Sequence, residues 1–428
     1  MHTGGITTEH FSLAYGDGFQ DIVIDGAASV KVLEGGDAPL LADYRAAFLK
    51  GLDEPIGTPP LGKLIQPGDK VTVLVSDITR GWMRQDRIAP LLVDYLHTHG
   101  IPYEDMVFLI ANGTHRAHSE DEKKRIVSPG IYEKVSVVDH DCEAADLCYL
   151  GRTSRGTPVW INPLAVGRKV ITMGATIHHL MSGFSGGRKS ILPGICGETT
   201  IEYNHLHALD PKEARSSRLI GSGVLEGNPV HLDMTEAAGM LNPCFSIHLL
   251  AGADGYYDIL CGHWYDAWLQ SCKAADRLFG VPIDERADIT VVSCGGYPKD
   301  INLYQSVKSL LNAGLSTKDG GTILMLAECR EGGGPPEFFS WITPLSQGRL
   351  DEALRQDFGI AGYIFYAACE ELRRTKTVAV TLLPREHLTA MGIAPAGDAK
   401  EALSLIDFKG KTVYVMPHGG NTVPVINR

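Results

Sequence analysis

The stretch VTVLVSDITRGWMRQDRIAPLLVDYLHTHGIPYEDMVFLIANGTHR, residues 71–116, holds two short apolar runs with a helical period between them. Val71 to Val75 has strand length, is rich in β-branched residues and shows no polar alternation, so it reads as a strand buried on both faces. Ile88, Leu91, Leu92, Tyr95 and Leu96 then recur at intervals of three and four, one face of a helix, until Gly100 stops the turn. Met106 to Ala111 repeats the strand pattern. Strand, helix and strand in this order make a βαβ unit, the element from which parallel sheets are built.

Working outward, Ser119-Glu-Asp-Glu122 is a capping box that opens another helix, and Val135–Val138 and Val170–Met173 read as further strands. From about Pro282 the pattern restarts: Ile289–Ser293 as a strand, Gly295–Asp300 as a tight loop, a helix to about Ala313 and a strand at Thr322–Ala327. The expectation is an α/β protein of two domains with largely parallel sheets. An N-terminal domain would cover 1–280 and be completed by about 400–428, with Thr412–Met416 returning to it as a strand; a C-terminal domain would cover 281–395. Residues 329–350, rich in Gly and Pro, are expected to form a mobile loop.

Composition narrows the function classes. The chain has 428 residues, 44% hydrophobic and 21% charged, with a formal net charge of -12. That balance fits a globular protein and disfavours nucleic acid or an anionic membrane as the main partner. An anionic ligand would need local cations such as Arg80, Arg188, Lys189 and Lys308. Nine cysteines, an odd number with no Cys-x-x-Cys pair, argue against a disulfide framework or a thiolate zinc site and fit a reducing cytoplasm. The N-terminus lacks the basic and apolar regions of a signal peptide, and no apolar run approaches the ~20 residues that span a bilayer.

Ligands of parallel α/β sheets gather at the carboxyl ends of the strands. Two polar loops leave the first strands there, Ser76-Asp-Ile-Thr-Arg80 and Asn112-Gly-Thr-His-Arg116. Either loop alone is accounted for by turn formation and capping. A third segment, 174–205, concentrates His179, three glycines (Gly183, Gly186, Gly187), Arg188, Lys189 and His205. It approaches a phosphate-binding Walker loop, but Arg188 stands where the second glycine belongs. In the second half, Leu303, Val307, Leu310 and Leu311 share one helical face, and Gln305 and Lys308 lie opposite with Tyr304 at the edge, an amide and a cation suited to a carboxylate. His115, His179 and His205 each sit beside a candidate loop. Imidazole works as acid or base near neutral pH, yet it is weak for removing a proton from carbon, so a hydride acceptor would make inversion at a hydroxyl-bearing carbon more reasonable.

Taken together, Ser76–Arg80, Gly113-Thr-His-Arg116, His179 with Gly183–Lys189, Asn204-His205, and Gly295-Gly-Tyr-Pro-Lys-Asp-Ile-Asn-Leu-Tyr-Gln305 with Lys308 make the chain similar, across nearly its full length, to the nickel-dependent lactate racemase family. The resemblance implies an active site in a cleft between the domains and a nickel pincer nucleotide, pyridinium-3,5-bisthiocarboxylic acid mononucleotide nickel, covalently attached at Lys189. It implies His205 as the protein ligand to the metal, and Asp77, Ser185, Gly186 and Gly187 as residues that seat the nucleotide. His115 and His179 correspond to the acid–base pair. Arg80, Tyr304, Gln305 and Lys308 correspond to substrate contacts. One His would take the hydroxyl proton while the C2 hydride passes to the cofactor, and its return to the opposite face would invert the centre. Imidazole suits nickel, and tetragonal geometry is typical of Ni(II).

Maturation would require cofactor-synthesis enzymes as partners. The expected activity is racemisation or epimerisation of a 2-hydroxy acid, lactate-like acids first, with larger hydroxy acids or aldonates as the alternative. Two readings outside the family remain: a nucleotide-dependent transferase using the Gly-rich loop, and a non-catalytic organic-acid-binding protein. Gly81 and Ala117 replace prolines common in the family, which implies looser loops, and Gly362–Tyr366 departs from the family pattern, so no aromatic lid is assigned.

Overall fold

The computed structural model describes residues 7–35, 38–252 and 254–427. The chain divides into two compact units, one of Asp37–Pro211 with Ser217–Leu278, the other of Met1–Gly36, Lys212–Ser216 and Phe279–Arg428.

The first unit is built on a six-stranded sheet in the order Tyr256–Gly262, Phe245–Ala251, Lys169–Ala175, Val71–Ser76, Met106–Ala111, Ser136–Asp139. Its neighbours are parallel except the first pair, which is antiparallel. Val71, Val73 and Val75 alternate with Thr72 and Leu74 across the sheet, so one face joins Phe108, Ile110, Ile171, Met173, Ile247 and Leu249 in the core. Leu92, Val93 and Leu96 of the helix Ala89–Thr98 close over that face. The helix stops where expected: Gly100 takes φ +88°, a left-handed conformation that glycine adopts without strain. Ser119 and Glu122 form the full capping box on Glu120–Val127. Strand register then fixes the functional edge. Val71 pairs with Met106 and Ser76 with Ala111, so both strands end level and their loops emerge side by side.

The second unit has a six-stranded sheet, parallel throughout, in the order Ile393–Ala396, Lys376–Val380, Thr317–Leu326, Ala287–Ser293, Thr412–Met416, Ser29–Val32. Here the expected domain boundary is corrected. Thr412–Met416 does not return to the N-terminal domain but pairs with Ala287–Ser293, with Val413 and Val415 buried in this unit's core. The N-terminal hairpin also belongs here: Thr7–Tyr15 and Gly18–Ala27 contribute Leu13, Ile22, Ile24 and Ala27 to the same core. Residues 329–350 are not one loop. Phe338–Trp341 and Ile342–Ser346 form helical turns, anchored by the fully buried Phe338. Gly362–Tyr366 lies within the helix Ile360–Arg374, where Tyr363, Phe365 and Tyr366 are buried and the Tyr366 hydroxyl donates to Asp351 at 2.9 Å. Among the described residues, no helix is long and apolar enough to cross a membrane.

Candidate active site

Asp77 follows the strand Val71–Ser76 and caps the 3-10 turn Ile78–Met83, accepting the Thr79 N–H at 3.0 Å. The same carboxylate bonds to Nδ1 of His115. Burial pushes Asp77 up, but the hydrogen bond and charge of His115, with Arg80 and Thr79 behind them, outweigh it and take the pKa down to about 2. A carboxylate held ionised against Nδ1 fixes the proton there and leaves the lone pair on Nε2, the arrangement of a general base. Arg80 donates from Nη1 to the Thr79 hydroxyl at 2.9 Å. The loop has a brace in His118, which bonds Asp139 through Nδ1 at 2.6 Å and accepts the Ile78 N–H on Nε2 at 3.2 Å, with its side chain 2% exposed.

His179 is set differently. It lies in a two-residue strand, His178–His179, paired antiparallel with Gly183–Phe184, and its Nδ1 accepts the backbone N–H groups of Met181 at 3.2 Å and Ser182 at 3.3 Å. Its Nε2 lies 3.0 Å from Nζ of Lys189.

The Gly-rich segment departs from what its composition suggests. A Cβ at Gly186 would lie 2.8 Å from the Ala175 carbonyl oxygen, and one at Gly187 2.8 Å from the Trp268 ring, so the space beside both is filled by protein. The Ser185 hydroxyl donates to the Ala175 carbonyl and accepts the Ile177 N–H. Arg188, expected as a cation for an anionic ligand, is fully buried instead. It stacks on Trp268 at 3.8 Å, donates to the carbonyls of Ser182 and Phe184 and to Nδ1 of His231, and burial draws it down to about 9. It holds the hairpin of His179 from beneath. Behind Lys189 the chain makes only a 3-10 turn to Ser190, and the next helix starts at Glu198, so the helix N-terminus that a Walker loop needs is missing from this segment.

Two backbone bonds tie the settings together. Gly194 N donates to Lys189 O at 3.1 Å and Gly113 N to Gly194 O at 3.0 Å, linking the lysine segment to the loop of His115.

His205 projects from the helix Glu198–Leu206 and is 3% exposed. Its Nδ1 donates to the Ile201 carbonyl at 2.9 Å, which leaves the lone pair on Nε2. Burial first, and the charge of Lys189 second, lower it to about 3, so it is a neutral imidazole at working pH. The neighbouring Asn204 anchors the helix, donating to the buried Asp233 at 2.9 Å. A neutral, oriented imidazole with its lone pair on Nε2 has the form of a metal ligand. Among the described residues, no group of three or more His, Cys, Asp or Glu could hold a metal ion.

In the second unit, Asn302 caps the helix Leu303–Ser316, and Leu303, Val307 and Leu310 are buried. Gln305 and Lys308 stand together on the half-buried side, where Nζ donates to Oε1 at 2.8 Å. Tyr304 meets Phe338 edge-on at 6.2 Å between ring centroids.

The profile of the lactate racemase N-terminal domain matches residues 15–217, and that of the lactate racemase C-terminal domain matches residues 283–423. The chain belongs to the lactate racemase family. A lactate racemase of Thermoanaerobacterium thermosaccharolyticum is 31% identical over 392 residues, 87% of this chain and 89% of that protein. The lactate racemase of Lactiplantibacillus plantarum is 31% identical over 310 residues, 71% of each chain. The solved apoprotein of the T. thermosaccharolyticum enzyme superposes with a TM-score of 0.83 at 27% identity, over 97% of this chain and 100% of that one. A Thermotoga maritima protein shares the fold at a TM-score of 0.66 and 17% identity, over 92% of this chain and 100% of that one. Membership of the lactate racemase family makes this chain an isomerase of the racemase type.

Proposed function

We propose that this enzyme inverts C2 of a 2-hydroxy acid, lactate-like short acids first, in the reducing cytoplasm after maturation by cofactor-synthesis enzymes. The observation that carries the reading is the pairing of two histidines with opposite proton arrangements, one bound to a carboxylate and the other to a lysine, on loops tied together by the backbone of Gly194. His115, its Nδ1 proton held by Asp77, takes the substrate hydroxyl proton on Nε2. His179, held at Nδ1 by backbone N–H groups, is the acid–base group assigned to the other face. The reverse reaction exchanges these roles. Arg80, Tyr304, Gln305 and Lys308 are assigned to the substrate, the cations to its carboxylate. Lys189 and His205 hold a nickel pincer nucleotide, with Asp77 and the Ser185–Gly187 segment near its seat; when bound, this group supplies a reversible hydride acceptor.

The test is to produce the protein together with the cofactor-synthesis enzymes, measure nickel per chain and intact mass, and assay inversion across lactate, larger 2-hydroxy acids and aldonates. C2-deuterated substrate should invert with the label retained in the product. Nickel-loaded protein that inverts none of the panel, or that loses the label to solvent, overturns the proposal. A non-catalytic acid-binding protein predicts instead that binding occurs without inversion.

A further inference from the structure

Three neighbouring strands of the first unit end level, and each delivers one part of a polar network. Ser76 pairs with Ala111 and Ile110 with Asp139, so Asp77, Asn112 and Asp139 stand side by side at the carboxyl edge of the sheet. Asp77 and the loop 112–116 carry the carboxylate and the imidazole of the His115 contact. Asp139, one strand further out, takes donors from the chain that joins its strand to the one before it. Its Oδ1 accepts from His118 Nδ1 at 2.6 Å and Asn112 Nδ2 at 3.4 Å. Its Oδ2 accepts from the His118 N–H at 3.3 Å and lies 2.8 Å from Lys123 Nζ. Residue 118 is therefore gripped by main chain and ring together.

His118 turns that grip toward Asp77. Its Nε2 accepts the Ile78 N–H at 3.2 Å, which requires a lone pair there and puts the ring proton on Nδ1, facing Asp139. Ile78 opens the 3-10 turn that Asp77 caps, and an N–H in that position has no partner inside the turn. Bonding it fixes the peptide plane between Asp77 and Ile78, and with it the direction in which the Asp77 side chain leaves the backbone. On the other side, Asn112 donates from the same amide nitrogen to Arg116 O at 3.3 Å, while its own carbonyl accepts the His115 N–H at 3.0 Å. These two bonds close the turn that presents His115. One carboxylate thus bears on both partners of the Asp77–His115 contact. Burial pushes the Asp139 carboxyl up, but the bonds from Lys123 and His118 outweigh it and hold the group below the usual carboxylate value.

We infer that Asp139 is a positioning residue for His115: through His118 and Asn112 it aligns the two loops so that the His115 proton stays on Nδ1 and the lone pair on Nε2. The inference rests on the proposed function for its effect on turnover, whereas its effect on the His115 ring is a property of the cofactor-free chain. A carboxylate that only paired with Lys123 would contribute stability and leave that ring untouched. Groups that orient a reacting side chain act on rate rather than on substrate affinity, typically by about 10–100-fold.

The test has two arms. In the cofactor-free, full-length chain at about pH 8, ¹⁵N-histidine NMR reads the His115 ring, with its signals assigned by their loss in His115→Ala. Wild type should show a protonated Nδ1 and an unprotonated Nε2. In Asp139→Ala and in His118→Ala the two shifts should move toward each other as the tautomers mix. His118→Gln, whose amide oxygen can replace Nε2 as the acceptor of the Ile78 N–H, should restore the wild-type pattern in large part. In the loaded enzyme Asp139→Ala should lower kcat by about 10–100-fold with KM within about two-fold, and Asp139→Ala with His118→Ala should be no slower than Asp139→Ala alone. Asp139→Asn keeps the volume and one acceptor oxygen, and should move both readings in the same direction by less. It carries the test if Asp139→Ala does not fold. His115 signals that stay at their wild-type positions in the folded Asp139 variants, or losses in kcat that multiply in the double variant, overturn the inference. If the ring responds as expected but loaded wild type inverts no hydroxy acid, the proposed function fails and the positioning of His115 stands.

Discussion

His115 and His179 are the same side chain in two opposite settings. His115 meets an ionised carboxylate through Nδ1, and its loop is braced by small polar groups and by His118. His179 meets two backbone N–H groups through Nδ1, and its hairpin rests on a buried guanidinium stacked against Trp268. The first setting leaves a lone pair on Nε2; the second leaves a proton there. What occupies the other nitrogen decides whether Nε2 starts with a lone pair or a proton, and that occupant here is a side chain in one case and main chain in the other. For the proposed inversion this means that the two rings differ in proton arrangement before any substrate binds.

The comparison breaks most visibly if either ring is removed. His115→Ala and His179→Ala should each lower kcat for inversion by about 10²–10⁴-fold, the usual contribution of a positioned acid or base. Single-turnover formation of the keto acid from each enantiomer sharpens the result: each variant should retain the reaction of one enantiomer, and not the same one. Loss of the same enantiomer in both variants would show that the rings do not serve opposite faces.

The next largest effect falls on stability and on one histidine only. Arg188→Leu removes a fully buried cation and leaves the carbonyls of Ser182 and Phe184 and Nδ1 of His231 without that donor, at a cost of about 3–5 kcal/mol. Denaturant unfolding measures the loss. Because the Asp77 and His115 contact makes no use of Arg188, NMR of the His115 ring should be unchanged while that of His179 shifts. Gly186→Ala is milder, about 2–3 kcal/mol, since it forces φ +72° on a residue with a side chain and drives the Cβ to 2.8 Å from the Ala175 carbonyl oxygen. A melting temperature equal to that of the wild type would show that the segment can move away.

Much of this was legible from local pattern. The βαβ unit at 71–111, the capping box at Ser119 and the stop at Gly100 depend on short-range periodicity and turn chemistry, and they stand where that chemistry puts them. Thr412–Met416 was misplaced because a parallel strand carries no mark of its partner: Val413 and Val415 say that it is buried, and only long-range pairing with Ala287–Ser293 says where. The candidate loops were legible as polar loops at strand ends, while the roles within them were not. Asp77 reads as a capping or ligand-seating residue until His115, 38 positions away, is found against it. Arg188 reads as a phosphate-seeking cation in a glycine-rich run, and its burial depends on Trp268, 80 positions downstream on a separate helix. The tautomer of a histidine has no sequence signal at all, because it is set by which neighbour reaches which nitrogen.

The smallest expected effect tests the carboxylate side of the comparison by pH. Asp77 is 5% exposed and its pKa is lowered from the usual carboxylate value to about 2, chiefly because the bond and charge of His115 overcome the opposing effect of burial. A group whose folded pKa lies below its unfolded one stabilises the fold fully above the unfolded value, near pH 4, and loses that contribution as pH falls through the folded value. A lowering of this size corresponds to about 2 kcal/mol. The stability difference between wild type and Asp77→Asn should therefore shrink by about 2 kcal/mol as pH falls from 4 to 2, read from denaturant midpoints across that range. The His179 setting has no carboxylate on its ring and predicts no such window, so Asp77→Asn in a His179→Ala background should show the same pH dependence. A difference that stays flat down to pH 2 would mean that Asp77 is not held ionised by His115, and the contrast between the two rings would lose its carboxylate half.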